Sequence, residues 1–559
     1  MKNILNKIKE HFIKRENIYK ILLIVLLAVD ILFLFYVFYV LPVIPMKYLI
    51  VIVLVLLLVS GVLVYSQFGK KVNIHNKRLG KIGLILISFI LLFVNIYMYF
   101  TKDILSGVTG SKYKIDTVSI VVLKDSPYKT IEDVLDKTIG EYKDEDQLVV
   151  RALADIQIEH LVELNIKDEY ESNSELVKAL YSSEVEAIII NEAFRSIIVE
   201  EFENFNDETR IIHSIKTETL IDSSKKVPVT TQPFTIYISG ADYYGDIDQT
   251  SRSDVNLLVT VNPITKVILI TTTPRDSYLP LACISGKPRD KFTHSGVYGI
   301  DCSISTLEEA FETDINYYAR INFSGMEKIV DALGGVEVES THAFVTNDEI
   351  QIYEGLNKMD GRTALSFARD RDHQGSGDID RGKNQMKVLT AMLKKAMSPA
   401  IITNYMNILN SVKSDFLTTL SSDDIVALAS MQLNDMAKWT IITNSVSGTT
   451  GFNFSYAMGQ NLAMFFPNTQ SLQYATELID QVIAGTLLEQ PEPVDFGYEA
   501  PPAQVRPDPE PEPEPEVPTI PVTPEEPEEP EEPENPDPET PEEPEEPGEE
   551  DNTPPESNG

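Results

Sequence analysis

The residues of this chain whose types and spacing suit chemistry are concentrated in residues 368–385. Large apolar or charged residues alternate with small or polar ones up to Arg371, so an extended backbone would project the guanidinium groups of Arg369 and Arg371 to the same side. Two planar guanidinium groups side by side suit the oxygens of a diphosphate. A Gly-Ser-Gly turn follows, and a helical pattern then places Arg381 and Gln385 on one face. A charged loop that only forms surface ion pairs has the same composition, and the rest of the chain decides between these interpretations.

Two aspartates upstream of this stretch could hold a metal ion. Asp242 and Asp254 lie twelve residues apart, across one predicted loop and next to the ends of predicted strands. Paired carboxylates with few other metal-type ligands suit Mg²⁺, or Mn²⁺, when the ion is held partly by substrate phosphates. Either aspartate alone is more typical of a turn.

Cationic side chains recur at predicted loop positions of the same region. They are Arg275, Lys291, Arg369, Arg371 and Arg381. Arginine binds phosphate oxygens in a bidentate manner. The sequence contains no convincing Ser-His-Asp order, thiol nucleophile or zinc spacing. Chemistry by positioning and charge neutralisation is what phosphoryl transfer requires, and the residue types favour it.

Alternating strand and helix patterns in residues 234–487 predict an α/β domain that positions these side chains. The predicted strands are 234–239, 255–261, 266–272 and 336–338, and the predicted helices are 305–312, 324–333, 386–393, 422–432 and 472–484. An acid or an arginine lies close to one end of each of the first three strands, and strand ends are where α/β sheets present their ligands. The two cysteines, Cys283 and Cys302, could form a disulfide or remain free thiols.

The N-terminal 100 residues predict a membrane anchor. Residues 1–20 are basic, and residues 21–100 contain apolar runs at about 21–41, 48–65 and 82–100, each long enough to cross a ~30 Å hydrocarbon core. The loop 67–81 is rich in lysine. The positive-inside rule therefore predicts that the N-terminus and this loop are cytoplasmic and that the chain after Lys102 is extracellular. Asp30, in the first run, is either functional or structural.

Two further regions flank the predicted catalytic domain. Residues 113–225 predict a small extracellular α/β accessory domain that resembles one lobe of a solute-binding protein, although the pattern favours a spacer or packing domain without a ligand. Residues 489–559 are Pro/Glu repeats that cannot bury a core, which predicts a disordered acidic tail. The net charge of −38 excludes nucleic-acid binding as a main role. No pattern indicates an oligomeric state.

Four segments of the predicted α/β domain at residues 234–487 resemble the LytR-CpsA-Psr family. They are SRSDVNLLVTVNPITKVILITTTPRDSYLPL (251–281), KFTHSGVYGIDCS (291–303), YYARINFSGMEKIVDALGGVEV (317–338) and LNKMDGRTALSFARDRDHQGSGDIDRGKNQ (356–385). The resemblance implies an α/β/α fold with a central mixed sheet that binds a polyprenyl pyrophosphate lipid. It also implies transfer of a lipid-linked glycopolymer, such as teichoic acid or capsule, onto peptidoglycan as a phosphodiester.

The resemblance assigns roles by position. Asp242 and Asp254 would ligate Mg²⁺, Arg275, Arg369 and Arg371 would hold the pyrophosphate, and Lys291 would lie near the head group. Asp378, Arg381 and Gln385 match an acid, an arginine and a glutamine of the family pattern, and Asp378 is a candidate base. The chain departs from the family at Asn384, where a second arginine is frequent, and in having three membrane spans rather than one.

Five apolar residues between positions 321 and 333 could line a tunnel for the prenyl chain, or form an ordinary core. They are Ile321, Phe323, Ile329, Val330 and Leu333. Two other functions fit the same residues. One is a polyprenyl diphosphate phosphohydrolase, which uses water as the acceptor, and the other is a non-catalytic membrane sensor or regulator of envelope metabolism.

Overall fold

Three long apolar helices begin the chain in the structure, a computed structural model that describes residues 2–40, 45–69, 71–108, 113–143, 147–220, 225–241, 247, 249–371, 378–398 and 415–501. They are α1 (Lys2–Val40), α2 (Met46–Phe68) and α3 (Ile74–Val108). Each contains an apolar stretch of 22 or 23 residues, enough to cross a bilayer. Buried leucines such as Leu27 and Leu84 pack α1 against α3. The three predicted apolar helices are confirmed, and by length and composition they form a membrane anchor.

A five-stranded sheet with helices on both faces occupies residues 113–220. Its strands are β1 (Tyr113–Leu123), β2 (Thr138–Tyr142), β3 (Asn165–Tyr170), β4 (Ala187–Asn191) and β5 (Thr209–Leu220), and its helices are α4 (Gln147–His160), α5 (Asn173–Tyr181), α6 (Arg195–Glu201) and α7 (Phe205–Glu208). The strand order is β3-β2-β4-β1-β5. Along β1, Ile120 and Val122 face one core and Val121 faces the other, as expected for a strand buried on both sides. We call this unit the accessory domain.

A six-stranded mixed sheet forms the centre of the catalytic domain. Its strands are β6 (Phe234–Ala241), β7 (Val255–Asn262), β8 (Val267–Thr272), β11 (Tyr317–Asn322), β16 (Phe416–Thr418) and β17 (Thr440–Ser445), in the order β16-β11-β6-β7-β8-β17. β11 is parallel to β6 and β17 is parallel to β8, whereas the β6–β7, β7–β8 and β11–β16 pairs are antiparallel. The predicted α/β class with a central mixed sheet is confirmed.

Apolar cores cover both faces of this sheet. The remaining helices are α8 (Phe292–Ser295), α9 (Ile300–Phe311), α10 (Phe323–Ala332), α11 (Gly361–Arg369), α12 (Asp378–Ala396), α13 (Ser422–Asp435) and α14 (Thr469–Ile483). Side chains of α9 and α14 pack with Tyr237 and Tyr318 on one face. Side chains of α12 and α13 pack with Val259 and Ile270 on the other. The domain therefore has three layers, as the family resemblance implies.

Short strands and hairpins surround the sheet. They are β9 (Tyr278–Pro280), β10 (Arg289–Lys291), β12 (Val336–Ser340), β13 (Phe344–Val345), β14 (Gln351–Ile352), β15 (Gly355–Met359), β18 (Gly448–Ser455) and β19 (Gln460–Pro467). A disulfide joins Cys283 and Cys302.

The first residues of the predicted tail contact the catalytic domain. Residues 489–501 lack regular secondary structure but bind the catalytic domain: the Gln490 side chain accepts a hydrogen bond from the Thr443 amide at 2.9 Å, and Glu499 accepts one from the Thr469 amide at 2.7 Å. The ring of Phe496 lies 5.6 Å from that of Tyr474. The predicted disorder of residues 502–559 lies outside the described residues.

The buried carboxylate of Asp290 joins β10 to the β18–β19 hairpin. It accepts hydrogen bonds from the Ser455 hydroxyl and the Ala457 amide, each at 2.7 Å, and from the His294 ring at 3.0 Å. Burial opposes its ionisation, yet His294 and the donated hydrogen bonds hold the pKa of Asp290 below its usual value. The ionised carboxylate therefore stabilises the folded chain.

We expect Asp290→Asn to lower the free energy of unfolding by about 3 kcal/mol, because the donors around it lose a charged acceptor in a buried site. A lowered folded pKa adds stability above the unfolded value of about 4, and this stability is lost as the pH falls through the folded pKa. The difference between the two proteins should thus be full at pH 7 and shrink below pH ~4. Chemical unfolding of the detergent-solubilised chain measures it, with exposed Asp480→Asn as the control. A difference that persists unchanged at low pH would contradict this role.

Candidate active site

A cavity of about 460 Å³ opens beside the ends of β6 and β7 and collects the predicted arginines. Its walls include the following residues: Asp254 and Val255 at the start of β7, Phe323 of α10, Asn347 and Asp348 of the β13–β14 turn, Ser366 and Arg369 of α11, Asp370, Arg371, and Arg381 and Gln385 of α12. The sequence prediction that Arg369, Arg371, Arg381 and Gln385 meet at one place agrees with this geometry. Three guanidinium groups on one cavity form a site for an anion with several oxygens.

The arginine stretch is not extended, as the alternating pattern predicted, but helical up to Arg369. α11 begins where the Asp360 side chain accepts a hydrogen bond from the Thr363 amide at 2.9 Å, which lowers the pKa of Asp360. Ala364 and Phe367 then face an apolar core. These two residues lie three apart, as on one face of a helix, whereas the alternation that predicted a strand involved Leu365 and Phe367, two apart. An alternation over so few residues does not decide between the two periods.

Close packing of α11 and α12 brings the arginines together. A Cβ atom at Gly361 would overlap the carbonyl oxygen of Glu327, so glycine permits α11 to approach α10 closely. Across the next interface, the Asn384 amide donates to the carbonyl oxygen of Phe367 at 3.2 Å. Asn384 is fully buried. The family departure at this position therefore faces α11, and it helps to align the end of α11 with the start of α12.

Arg369 is held in place by an aromatic ring. Its guanidinium carbon lies 4.3 Å from the centre of the Phe323 ring, and the side chain is exposed on the cavity side. Stacking on a ring orients a guanidinium group without consuming its hydrogen-bond donors. Arg369 also sits in the last turn of α11, where the helix dipole favours a cation. The stacked group is thus presented for bidentate binding.

Arg275 contacts a carboxylate that lines the cavity. Its guanidinium group donates to Asp254 at 2.6 Å and lies 3.7 Å from Asp276, which in turn lies 3.4 Å from the Lys291 amine. The Thr293 hydroxyl is 3.4 Å from Asp254. These contacts form a row of alternating charges in the order Asp254, Arg275, Asp276 and Lys291. Asp254 lines the cavity, and the other three residues lie behind it. Their predicted contact with phosphate stays a prediction.

The metal prediction can be assessed on one of its two aspartates. Asp254 places a carboxylate on the cavity beside the arginines, and the oxygen donors there suit a hard cation such as Mg²⁺ or Mn²⁺ completed by phosphate oxygens. Asp242 lies outside the described residues. Among the residues that the structure describes, no three His, Cys, Asp or Glu side chains form a metal-binding group. The donor chemistry of Asp254 therefore fits the ion, and substrate oxygens would have to complete its coordination.

The LytR_cpsA_psr family model matches residues 202–479. The polyisoprenyl-teichoic acid–peptidoglycan teichoic acid transferase TagU of Enterococcus faecalis is 33% identical over 220 residues, which are 38% of this chain and 71% of that protein. The chain belongs to the LytR-CpsA-Psr family. The protein of the same name from Bacillus cereus is 33% identical over 197 residues, 35% of this chain and 63% of its own length.

Solved structures of LytR-CpsA-Psr proteins also align with the chain. TagT bound to LI-WTA is 26% identical, with a TM-score of 0.38, and the match covers 47% of this chain and 94% of that one. The crystal structure of B. subtilis TagV is 24% identical, with a TM-score of 0.39, and covers 46% and 99%.

The apolar residues expected to line a lipid tunnel occupy different surroundings. Phe323 lines the cavity, whereas Val330 is fully buried in the core between α10, α11 and α12. Leu333 is buried as well, and Ile321 and Ile329 are partly buried. The backbone of Asp378 opens α12, but its side chain lies outside the described residues. The tunnel and base roles stay predictions.

Sequence reasoning missed several groups of this LytR-CpsA-Psr site. Asn347 and Asp348 come from a hairpin turn, where such residues are common for local reasons, so no signal distinguished them. Ser366 connects that turn to α11, since its hydroxyl lies 2.8 Å from that of Thr346. Partly buried apolar side chains on one face of the sheet were also missed: Val255, Leu389, Leu393, Ile425 and Leu428. Of these side chains, Val255 also lines the cavity.

Proposed function

We propose that the protein transfers a glycopolymer from a polyprenyl pyrophosphate carrier onto peptidoglycan as a phosphodiester. The observation that carries the proposal is the single cavity lined by Arg369, Arg371, Arg381 and Gln385 within the family domain. Relatives from Enterococcus faecalis and Bacillus cereus bear the name of a polyisoprenyl-teichoic acid–peptidoglycan teichoic acid transferase. A cluster of arginines is the kind of site that recognises a diphosphate.

The three arginines would bind and orient the two phosphates of the carrier. Arg369, fixed on Phe323, and Arg381, nearly fully buried at the start of α12, approach from two helices. Their charges neutralise the diphosphate and the charge that develops on the leaving phosphate. Val255 and Phe323, the apolar residues of the cavity lining, would contact the first isoprene unit, whose burial adds roughly 25 cal/mol for each Å². The carrier's two halves thus meet complementary chemistry.

The reaction is a phosphoryl transfer. A sugar hydroxyl of peptidoglycan attacks the phosphorus that carries the glycopolymer, forming a new P–O bond. The bridging P–O bond to the second phosphate breaks, and polyprenyl phosphate leaves with the electron pair. The hydroxyl proton passes to a base, for which we propose Asp378 because it opens α12 three residues before Arg381. Gln385, one turn further along, would hydrogen bond to the transferring group.

We propose that Asp254 and Asp242 hold Mg²⁺ or Mn²⁺ together with phosphate oxygens. When bound, such an ion neutralises negative charge on the diphosphate and stabilises the polyprenyl phosphate as it leaves. Asp254 would also keep Arg275 beside the phosphates through their 2.6 Å hydrogen bond. Asp254 would thus contact both the metal ion and Arg275, the two groups that neutralise the phosphate charge on this side of the cavity.

We further propose that the catalytic domain is extracellular. The basic N-terminus and loop 67–81 favour a cytoplasmic position, and three crossings then place the domain outside. A carrier lipid in the outer leaflet and the peptidoglycan acceptor are both reached from there.

The identity of the products separates transfer from hydrolysis, because both reactions use the same diphosphate cavity. With a synthetic lipid-linked glycopolymer and peptidoglycan, we expect polymer to become attached to the wall through a phosphodiester in proportion to the polyprenyl phosphate released. Mass spectrometry of digested peptidoglycan measures the linkage. Release of free glycan phosphate without a wall linkage would assign a phosphohydrolase instead. In cells, wall polymer content that survives loss of Arg369 would assign a regulatory role.

A further inference from the structure

The accessory domain is docked firmly on the catalytic domain. Phe194 and Ile197 of the accessory domain form one buried cluster with Val297 and Met458 of the catalytic domain. The ring of Phe194 lies edge-on to that of Tyr298, with 5.3 Å between the ring centres. The shared apolar cluster opposes separation of the two domains.

The first strand of the accessory domain reaches a loop of the catalytic domain. Ile115 of β1 forms a parallel bridge with Gln249, and its carbonyl oxygen accepts from the Thr250 amide at 3.3 Å. The Thr250 hydroxyl donates to the carboxylate of Asp116 at 2.6 Å, and the Lys114 amine lies 3.5 Å from the same carboxylate. Asp116 and Thr250 are both buried, so the hydrogen bond is a charge-assisted one shielded from water.

The same loop leads directly to the cavity. The Arg320 guanidinium group donates to the Gln249 carbonyl at 2.9 Å and to the Ser251 hydroxyl, which holds the loop from the central sheet. The Ser253 hydroxyl lies 2.6 Å from that of Tyr237. Asp254, which lines the cavity and binds Arg275, is the next residue. Thr250, which binds the Asp116 carboxylate of the accessory domain, thus lies four positions before Asp254 of the active site.

We infer that Asp116 is a positioning residue for the transferase site. It fixes Thr250, and the segment from Thr250 to Asp254 then holds the Asp254 carboxylate and, through it, Arg275 at the cavity. The accessory domain therefore contributes to diphosphate binding without lining the cavity. The inference rests on the proposed function, and it gives the accessory domain a role that does not require a ligand of its own.

The test compares Thr250→Val, which removes the hydroxyl at nearly constant volume, with Thr250→Ser, which keeps it. The readout is the dissociation constant of farnesyl diphosphate for the full-length, detergent-solubilised chain in MgCl₂. We expect Thr250→Val to raise this constant about three- to tenfold, and Thr250→Ser to restore it to near the wild-type value. Asp116→Asn weakens the same hydrogen bond and is measured if Thr250→Val does not fold, with at least a twofold rise expected.

A purely structural role for this hydrogen bond predicts a different result. Ser119→Ala is the matched control, because it removes a buried hydroxyl 2.9 Å from that of Ser214 within the same strand pair, away from the loop. A wild-type constant in the Thr250→Val protein, or an equal rise in the Ser119→Ala protein, would overturn the inference. Arg369→Ala separates a failure of the proposed function from a failure of this inference. If the Arg369→Ala protein also binds farnesyl diphosphate normally, the proposed diphosphate site is wrong. If only the Thr250→Val protein binds it normally, the positioning role alone is wrong.

Discussion

Replacing Arg369 with alanine should lower the rate of glycopolymer transfer by about a hundredfold or more, because removal of one preorganised donor to developing charge costs about 3 to 4 kcal/mol. The guanidinium group is already stacked on Phe323 at the cavity, so little of its binding energy is spent on ordering it. We expect a loss of similar size for Arg371→Ala. The measurement is the initial rate of polymer attachment to peptidoglycan from a defined polyprenyl diphosphate donor.

The α11 helix offers a matched control. Arg362 lies on the same helix, is exposed and carries the same charge, but it is two turns from the cavity end. Arg362→Ala should transfer polymer at close to the wild-type rate. Arg369→Lys keeps the charge but not the planar pair of donors or the ring stacking, so its rate should fall between those of the wild type and the alanine variant. Wild-type rates in both Arg369→Ala and Arg371→Ala would remove the pyrophosphate assignment.

The buried strands of the catalytic sheet could be predicted closely from the sequence. The apolar run predicted as a strand at 255–261 is β7, Val255–Asn262, and that at 266–272 is β8, Val267–Thr272. A central strand is covered on both faces, so its residues form an uninterrupted apolar run that few other elements produce at that length. Short runs of apolar residues were therefore enough to predict the fold class.

The local structure of the arginine stretch could not be predicted in the same way. Helix α11 covers a small apolar core with Ala364 and Phe367, and its beginning depends on the Asp360 cap. An aspartate before a short polar segment is also typical of a turn, so the cap carried no decisive signal. Residue types predict a diphosphate as the ligand of the arginines, and this stays a prediction, whereas the packing of α11 against α10 and α12 sets where Arg369 lies.

The membership of the cavity is a long-range property. Phe323 reaches Arg369 from 46 residues away in the chain, and Thr250 reaches Asp116 from 134 residues away. No periodicity encodes such pairs, because each depends on how separate elements pack. Arg275 shows the same limit: its type predicted contact with a phosphate, whereas in the structure its guanidinium group donates to the carboxylate of Asp254 at 2.6 Å. The sequence identified the chemistry of these groups but not their mutual contacts.

Replacing Asp254 with alanine should also reduce transfer by about a hundredfold, through two separable effects. Loss of the carboxylate leaves the largely buried Arg275 without its 2.6 Å partner, which misplaces one cation. If Asp254 in addition holds Mg²⁺, the concentration of Mg²⁺ that gives half-maximal rate should rise in the variant. Calorimetric titration of Mg²⁺ into the protein with farnesyl diphosphate gives a second measure that does not depend on turnover.

A double-mutant cycle separates the two effects. If Asp254 acts only by orienting Arg275, the Asp254→Ala, Arg275→Ala double variant should be no slower than Arg275→Ala alone. If Asp254 also contributes to the metal site, the double variant should be slower, and the Mg²⁺ requirement should rise whenever Asp254 is absent and stay normal in Arg275→Ala. Asp276→Ala is the matched control, since this carboxylate lies 3.7 Å from Arg275 and is the more exposed of the two. An unchanged Mg²⁺ requirement in both Asp254 variants would leave the carboxylate as a partner of Arg275 and remove it from the metal site.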